Sequence, residues 1–144
     1  MLPMKIDLDT LRGFFASAPF MVDLGVTPIA VSEGRVSTEL HIAKRHLQHT
    51  GVVHAGVMAA MADHSMGAAA QSIAAEGYWV LTAELKTSLL RAGQGVRLVC
   101  DALVLKPGRN ISFTEAEVFA ESAEGQRTLV MKASATMALA AMKR

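Results

Sequence analysis

The sequence predicts an α+β fold in which one long helix lies on an antiparallel sheet, and three observations carry that expectation. A helical run of small and apolar residues extends from about Ala55 to about Ala75. Polar and apolar residues alternate strictly from Arg35 to Ile42, the period of a half-buried strand. Four strand-like runs then follow, separated by short breaks that contain glycine. A chain of 144 residues can bury one respectable core and no more, so a single domain over residues 1–144 is expected.

Taken in order, Asp7 or Asp9 can cap a short helix through "LRGFFASA", which Pro19 prevents from continuing. In the strand 35–42, Arg35, Ser37, Glu39 and His41 share one face, while Val36, Thr38, Leu40 and Ile42 share the other. The central helix ends near Gly77, and its many Ala and Gly residues would let a strongly curved sheet approach closely. The last four strands are expected at about 79–91, 95–106, 110–121 and 126–139. Their breaks "RAGQG", "KPGRN" and "AEGQ" are short, which predicts successive antiparallel hairpins.

Composition narrows the functional classes. The formal charge of +1 is spread without basic clusters, so the electrostatic footprint of a nucleic-acid binder is missing. The single cysteine, Cys100, lies in the apolar run "VRLVCDALVL" and reads as a small core residue in a reducing compartment. Acids interrupt "MLPMKIDLDTLRGFF" where a signal peptide needs an apolar stretch, and no uncharged run reads as a membrane span. A soluble cytoplasmic protein is expected, with no membrane partner. At 51% hydrophobic residues, some apolar surface should be covered by another subunit, so a homo-oligomer, dimer or tetramer, is expected.

One residue contradicts the bland reading of the helix. Asp63 sits in the middle of an otherwise small and apolar segment, where an unpaired carboxylate would be costly. It is either neutralised by a partner or used. Metal binding is a poor explanation of the nearby histidines 46, 49, 54 and 64, because no H-x-x-x-H pair is present and Asp63 and His64 point in different directions on a helix. A Ser–His–Asp hydrolase lacks its G-x-S-x-G elbow.

The segment "QHTGVVHAGVMAAMAD" resembles the signature of the hotdog-fold acyl-CoA thioesterases of the phenylacetate-degradation (PaaI-like) type. That pattern has an Asn or Gln, a Gly, a His followed by two small residues, and an acid nine residues after the His. Gln48, Gly51, His54, Ala55, Gly56 and Asp63 occupy those positions in register, with Ala55 standing where the family usually has Gly. The likeness extends from "PFMVDLGV" to "LKPGRNISFTEAEV". It implies a hotdog fold, a long central helix wrapped by a curved antiparallel sheet. It also implies hydrolysis of an acyl-CoA to free acid and coenzyme A, with no cofactor beyond the coenzyme A of the substrate.

In that chemistry the thioester oxygen becomes negative under attack, and free amides at a helix start can stabilise it. The resemblance gives this task to the N–H groups of Ala55 and Gly56. His54 could orient the loop or donate to the thioester, Gln48 could bind water or the acyl group, and Asp63 would be the base or the nucleophile. Thr82 in "WVLTAELKTS" matches a family Ser or Thr that positions water beside the acid. Lys106 and Arg109, flanking "KPGRN", are candidates for the coenzyme A phosphates.

Nine helical residues rise about 13–14 Å, so His54 and Asp63 of one chain cannot both touch one thioester, and the site must combine two subunits. A non-catalytic acyl-CoA binding or sensing protein is the alternative on the same fold. Medium-chain and aromatic acyl groups both remain open, as does a carrier-protein thioester. Met58, Met61 and Met66 could line an adaptable pocket or simply pack the core.

Overall fold

A computed structural model describes residues 6–142. The reading of the N-terminus as leaderless rests partly on residues 1–5, which lie outside the described residues. The first helix, α1 (Leu8–Ala16), starts where Asp7 accepts the Thr10 N–H at 2.8 Å, so Asp7 rather than Asp9 is the cap. Pro19 does stop α1, but it also begins a second helix, α2 (Pro19–Leu24), that the sequence reading did not foresee. A first-turn amide has no partner in a helix, so proline loses nothing there and arrives with its φ already set.

Between α2 and the expected strand at 35–42 lies an unforeseen strand, β1 (Thr27–Ser32), antiparallel to β2 (Arg35–His41). Pro28 argues against a strand in the sequence, yet β1 is an edge strand whose register shifts between Pro28 and Ala30, where proline is tolerated. In β2 the expected face points inward: Val36, Thr38 and Leu40 are buried. The central helix α3 spans Ala55–Gln71, shorter than the expected run to Ala75, because Ser72 closes it with its hydroxyl on the Ala69 carbonyl at 2.7 Å.

Four strands follow close to the expected positions: β3 (Tyr78–Leu89), β4 (Arg97–Lys106), β5 (Ile111–Glu121) and β6 (Arg127–Ala141). The sheet order is β1-β2-β4-β5-β6-β3. The expectation of successive hairpins therefore holds for β4–β5–β6 and fails for β3, which pairs with β6 at the edge instead of with β4. The segment between β3 and β4 is a crossover and not a turn. The Leu90 N–H donates to Val130 O at 2.9 Å, Gly93 O accepts from Val53 N–H at 2.9 Å, and Val96 O accepts from Ile42 N–H at 2.9 Å. Those bonds carry the chain from β6 past the start of α3 to β2, a span that a hairpin loop cannot cover.

The curved sheet wraps α3, and the helix buries Met58, Met61 and Met66 against Leu40, Leu98, Val118 and Met131. Met61 and Met66 are core, and Met58, also buried, borders the cleft at the start of α3. Ser65 donates its hydroxyl to Met61 O at 2.6 Å and accepts from the Thr38 hydroxyl at 2.8 Å inside this core, so neither hydroxyl is left unsatisfied. Cys100 is fully buried as expected, and that burial pushes its thiol pKa up to about 12. One long helix inside a curved six-stranded antiparallel sheet is the hotdog fold. Among the described residues, no helix is long and apolar enough to cross a membrane.

Candidate active site

The carboxylate that broke the apolar pattern has a partner. Asp63 lies half-buried on α3, and Thr82 on β3 donates its hydroxyl to Asp63 Oδ1 at 2.6 Å. The strand β3 runs back alongside the helix it follows, which brings together two residues 19 apart in sequence. Among the described residues no protein group bonds the second carboxylate oxygen, which faces a cleft of about 260 Å³. The cleft is walled mainly by Leu11, Phe14 and Phe15 of α1 and by Trp79 and Val80 of β3, so it is largely apolar, with Ser17, His64 and Gln71 as further polar side chains besides Asp63 and Thr82.

His64 also lines this cleft, a place the sequence reading did not give it. Its ring meets Phe15 edge to face, with centroids 4.5 Å apart and planes at 89°. Burial lowers the His64 pKa from its ordinary value, partly opposed by the charge of Asp63, so the ring is neutral at neutral pH. Adjacent helix positions point about 100° apart, so Asp63 and His64 reach the cleft from different sides. The only signal in the sequence was their adjacency.

The start of α3 forms a second, separate cleft of about 410 Å³, where Gln48, Ala55 and Met58 face Leu89 and Leu90. Gly51, with φ of 87°, turns the loop before the helix, and Gln48 holds it through its N–H on Val52 O at 2.8 Å and its side-chain amide on Thr50 Oγ1 at 2.8 Å. His54 is the helix cap: its Nδ1 accepts the Gly56 N–H at 2.8 Å. That bond places the ring proton on Nε2. It also changes one expectation, because the Gly56 amide is not free in this state; the imidazole must turn aside before an oxyanion can use it. The Ala55 N–H has no protein acceptor among the described residues. No non-glycine residue among them has a positive φ, so alanine at position 55 is unstrained.

Within one chain, then, Asp63 and Thr82 meet at one cleft, Gln48 and Ala55 line another, and His54 and Gly56 bond each other at the helix start beside it. Lys106 and Arg109 join neither group. Both are exposed, and Arg109 borders a hollow with Ala74 and Tyr78 beyond the C-terminal end of α3. No three His, Cys, Asp or Glu side chains gather as a metal site among the described residues.

Comparison with known proteins agrees with this fold. The family model described as Thioesterase superfamily matches residues 50–125, which include the end of the Gln48 loop, α3, Thr82 and the β4–β5 turn. A thioesterase family protein from Silicibacter pomeroyi is 30% identical, with 92% of this chain and 96% of that one covered at a TM-score of 0.88. A conserved protein from Pseudomonas aeruginosa is 29% identical over 90% of this chain and 98% of its own, at a TM-score of 0.79. A thioesterase from Haemophilus influenzae shares the fold at 21% identity, with 99% and 96% of the chains covered and a TM-score of 0.86. No curated protein sequence matches the chain. With the family match spanning more than half of its length and a structural relative at 30% identity along nearly all of it, the chain belongs to the thioesterase superfamily.

Proposed function

We propose that the protein is an acyl-CoA thioesterase of the PaaI-like type, acting as a homodimer or a larger assembly of such dimers. The observation that carries this reading is the Asp63–Thr82 pair: a carboxylate with one oxygen held by a hydroxyl and the other open to an apolar cleft. A passive binder of an anionic ligand gains nothing from an acid in that place.

The second half of the site comes from a second copy. Every residue from Leu81 to Leu90 is exposed in the single chain, including Leu81, Leu85, Leu89 and Leu90, and β3 is a sheet edge with unpaired backbone groups. The incompletely buried side of α3 carries Gly56, Ala59, Ala60, Asp63 and Gly67, small enough for another helix to come close. Antiparallel pairing of β3 with its copy about a two-fold axis at Leu85 sets Thr82 opposite the partner subunit's Ser88. The Asp63 cleft of one protomer then faces the Gln48 and Ala55 cleft of the other.

In the composite site the thioester oxygen lies at the Ala55 N–H, with the Gly56 N–H joining it once His54 swings away. The acyl group enters the cleft walled by Leu11, Phe14, Phe15 and Trp79. Thr82 orients the carboxylate, and Asp63 takes a proton from water as its oxygen bonds to the acyl carbon. The carbon–sulfur bond then breaks and the proton passes to the departing thiolate, which releases the free acid and coenzyme A. Direct attack by Asp63 would give an anhydride that water opens; in a single turnover in labelled water only that route places label in Asp63. Gln48 holds the water or the acyl oxygen, and Lys106 and Arg109 meet the phosphates of coenzyme A.

The test is thiol release from short, medium, long and aromatic acyl-CoAs by wild type and Asp63→Asn. Turnover of at least one substrate, with a loss of about 10²–10⁴ in kcat for a folded variant, supports the reading. Binding of acyl-CoA without thiol release by either protein makes this a binding module instead.

A further inference from the structure

The most unusual polar contact outside the reacting pair belongs to Gln71, the last residue of α3. Its side chain is 9% exposed, yet it neither caps its own helix nor reaches solvent. Instead the amide bonds the backbone of β3 at both ends: Nε2 donates to Tyr78 O at 2.9 Å, and Oε1 accepts from Val80 N–H at 3.1 Å. A carbonyl and an amide two residues apart on one strand edge are the pair that a neighbouring strand would take. The Gln71 side chain therefore stands in for a strand and ties the start of β3 to the end of α3.

Two further observations say what this tie is for. Thr82 lies two residues beyond Val80, so the period of the strand turns both toward the helix, and Asp63 lies about two helical turns before Gln71 on the same wall of the cleft. On its other side β3 is paired with β6 along its whole length, and the single register shift falls between Thr82 and Glu84, directly beyond the Thr82 hydroxyl. The Gln71 amide therefore fixes the free edge of β3 just before the place where the ladder is irregular.

We infer that Gln71 is a positioning residue that clamps β3 to α3 so that the Thr82 hydroxyl is delivered to Asp63. The inference rests on the thioesterase reading above. The amide has no direct part in the reaction; it acts through Thr82, and its loss should lower kcat while leaving substrate binding nearly unchanged.

The experiment is a double-mutant cycle of Gln71→Met and Thr82→Val, with Asp63→Asn alongside, using the best acyl-CoA of the panel. Methionine keeps the length and removes both bonds. Gln71→Met should lower kcat about tenfold with KM within about twofold, and should cost little more once Thr82 is already valine. Gln71→Glu supplies an independent readout. Its carboxylate faces the Tyr78 carbonyl without a proton to donate, whereas its protonated form restores both bonds, so kcat relative to wild type should rise as pH falls.

An equal loss in both Thr82 backgrounds overturns the inference, as does full activity of Gln71→Met beside a crippled Thr82→Val. Should Gln71→Met fail to fold, a kcat ratio for Gln71→Glu that is flat with pH overturns it alone. Full activity of Asp63→Asn and Thr82→Val together sinks the parent reading, and the inference with it.

Discussion

The two ends of the exposed side of α3 are built on opposite plans. Around Asp63 the side chains are already organised by one chain: the carboxylate is oriented by Thr82, the cleft has walls from α1 and β3, and His64 is packed on Phe15. At the helix start the same chain supplies amides but closes one of them with its own His54, and Gln48 spends its side chain on Thr50. In the proposed mechanism, the half that would handle the proton is thus organised within one protomer, whereas the amides at the helix start are partly satisfied by their own chain until substrate arrives. A half-buried acid gains from a fixed partner, while exposed amides can wait on water or on a local side chain.

The largest effect expected from this division is one of complementation. Asp63→Asn and Gln48→Ala should each be nearly inactive, yet mixed and re-equilibrated subunits should recover about a quarter of wild-type activity, since each hybrid dimer holds one intact site. No recovery on mixing would place both residues in the same site of one chain and break the comparison.

A smaller effect separates the ends by tolerance. His54→Ala removes a cap and unblocks the Gly56 N–H; it should cost about 0.5–1 kcal/mol of stability in urea unfolding and change kcat by no more than about tenfold. A loss as deep as that of Asp63→Asn would make His54 a reacting group.

The organised end should also report on pH. His64 has a folded-state pKa below 6.5, so the unfolded chain binds its proton first as pH falls. The stability from keeping this ring neutral is fully present above 6.5 and lost as pH drops from 6.5 toward the folded value. Urea midpoints between pH 7.5 and 5.5 should fall in wild type and fall less in His64→Gln; parallel slopes would show that the ring is not buried against Phe15 in solution. Smallest of all, Cys100 should react with a disulfide reagent far more slowly in the folded protein than in the unfolded one, because burial holds its thiol pKa near 12. Rapid labelling of the native protein would mean that the β2–β4 core opens readily.

Legibility from sequence followed the range of the interaction. The alternation in β2 and the small apolar run of α3 reported their own burial, so both elements could be read directly. Pro28 concealed β1 because a local rule about proline cannot know that the strand lies on an edge. Asp63 was conspicuous as an acid among alanines, and Thr82 could be attached to it only through family resemblance, since nothing local links positions 19 apart. His64 and Gln71 were not legible as cleft residues: one looked like a possible metal donor, and the other lay inside the expected helix.

By itself the sequence determined five of the six strands, the buried face of β2, the helix that carries the acid and the small residues along that helix. Those properties are periodic and local, set by backbone geometry and by the cost of exposing apolar surface. Only the tertiary structure decided that β3 leaves its neighbour in sequence to pair with β6, and everything that pairing creates: the Thr82–Asp63 bond, the Gln71 clamp and the exposed edge. Strand partners are chosen by the packing of the whole sheet around the helix, a competition among distant segments that no short window of residues contains.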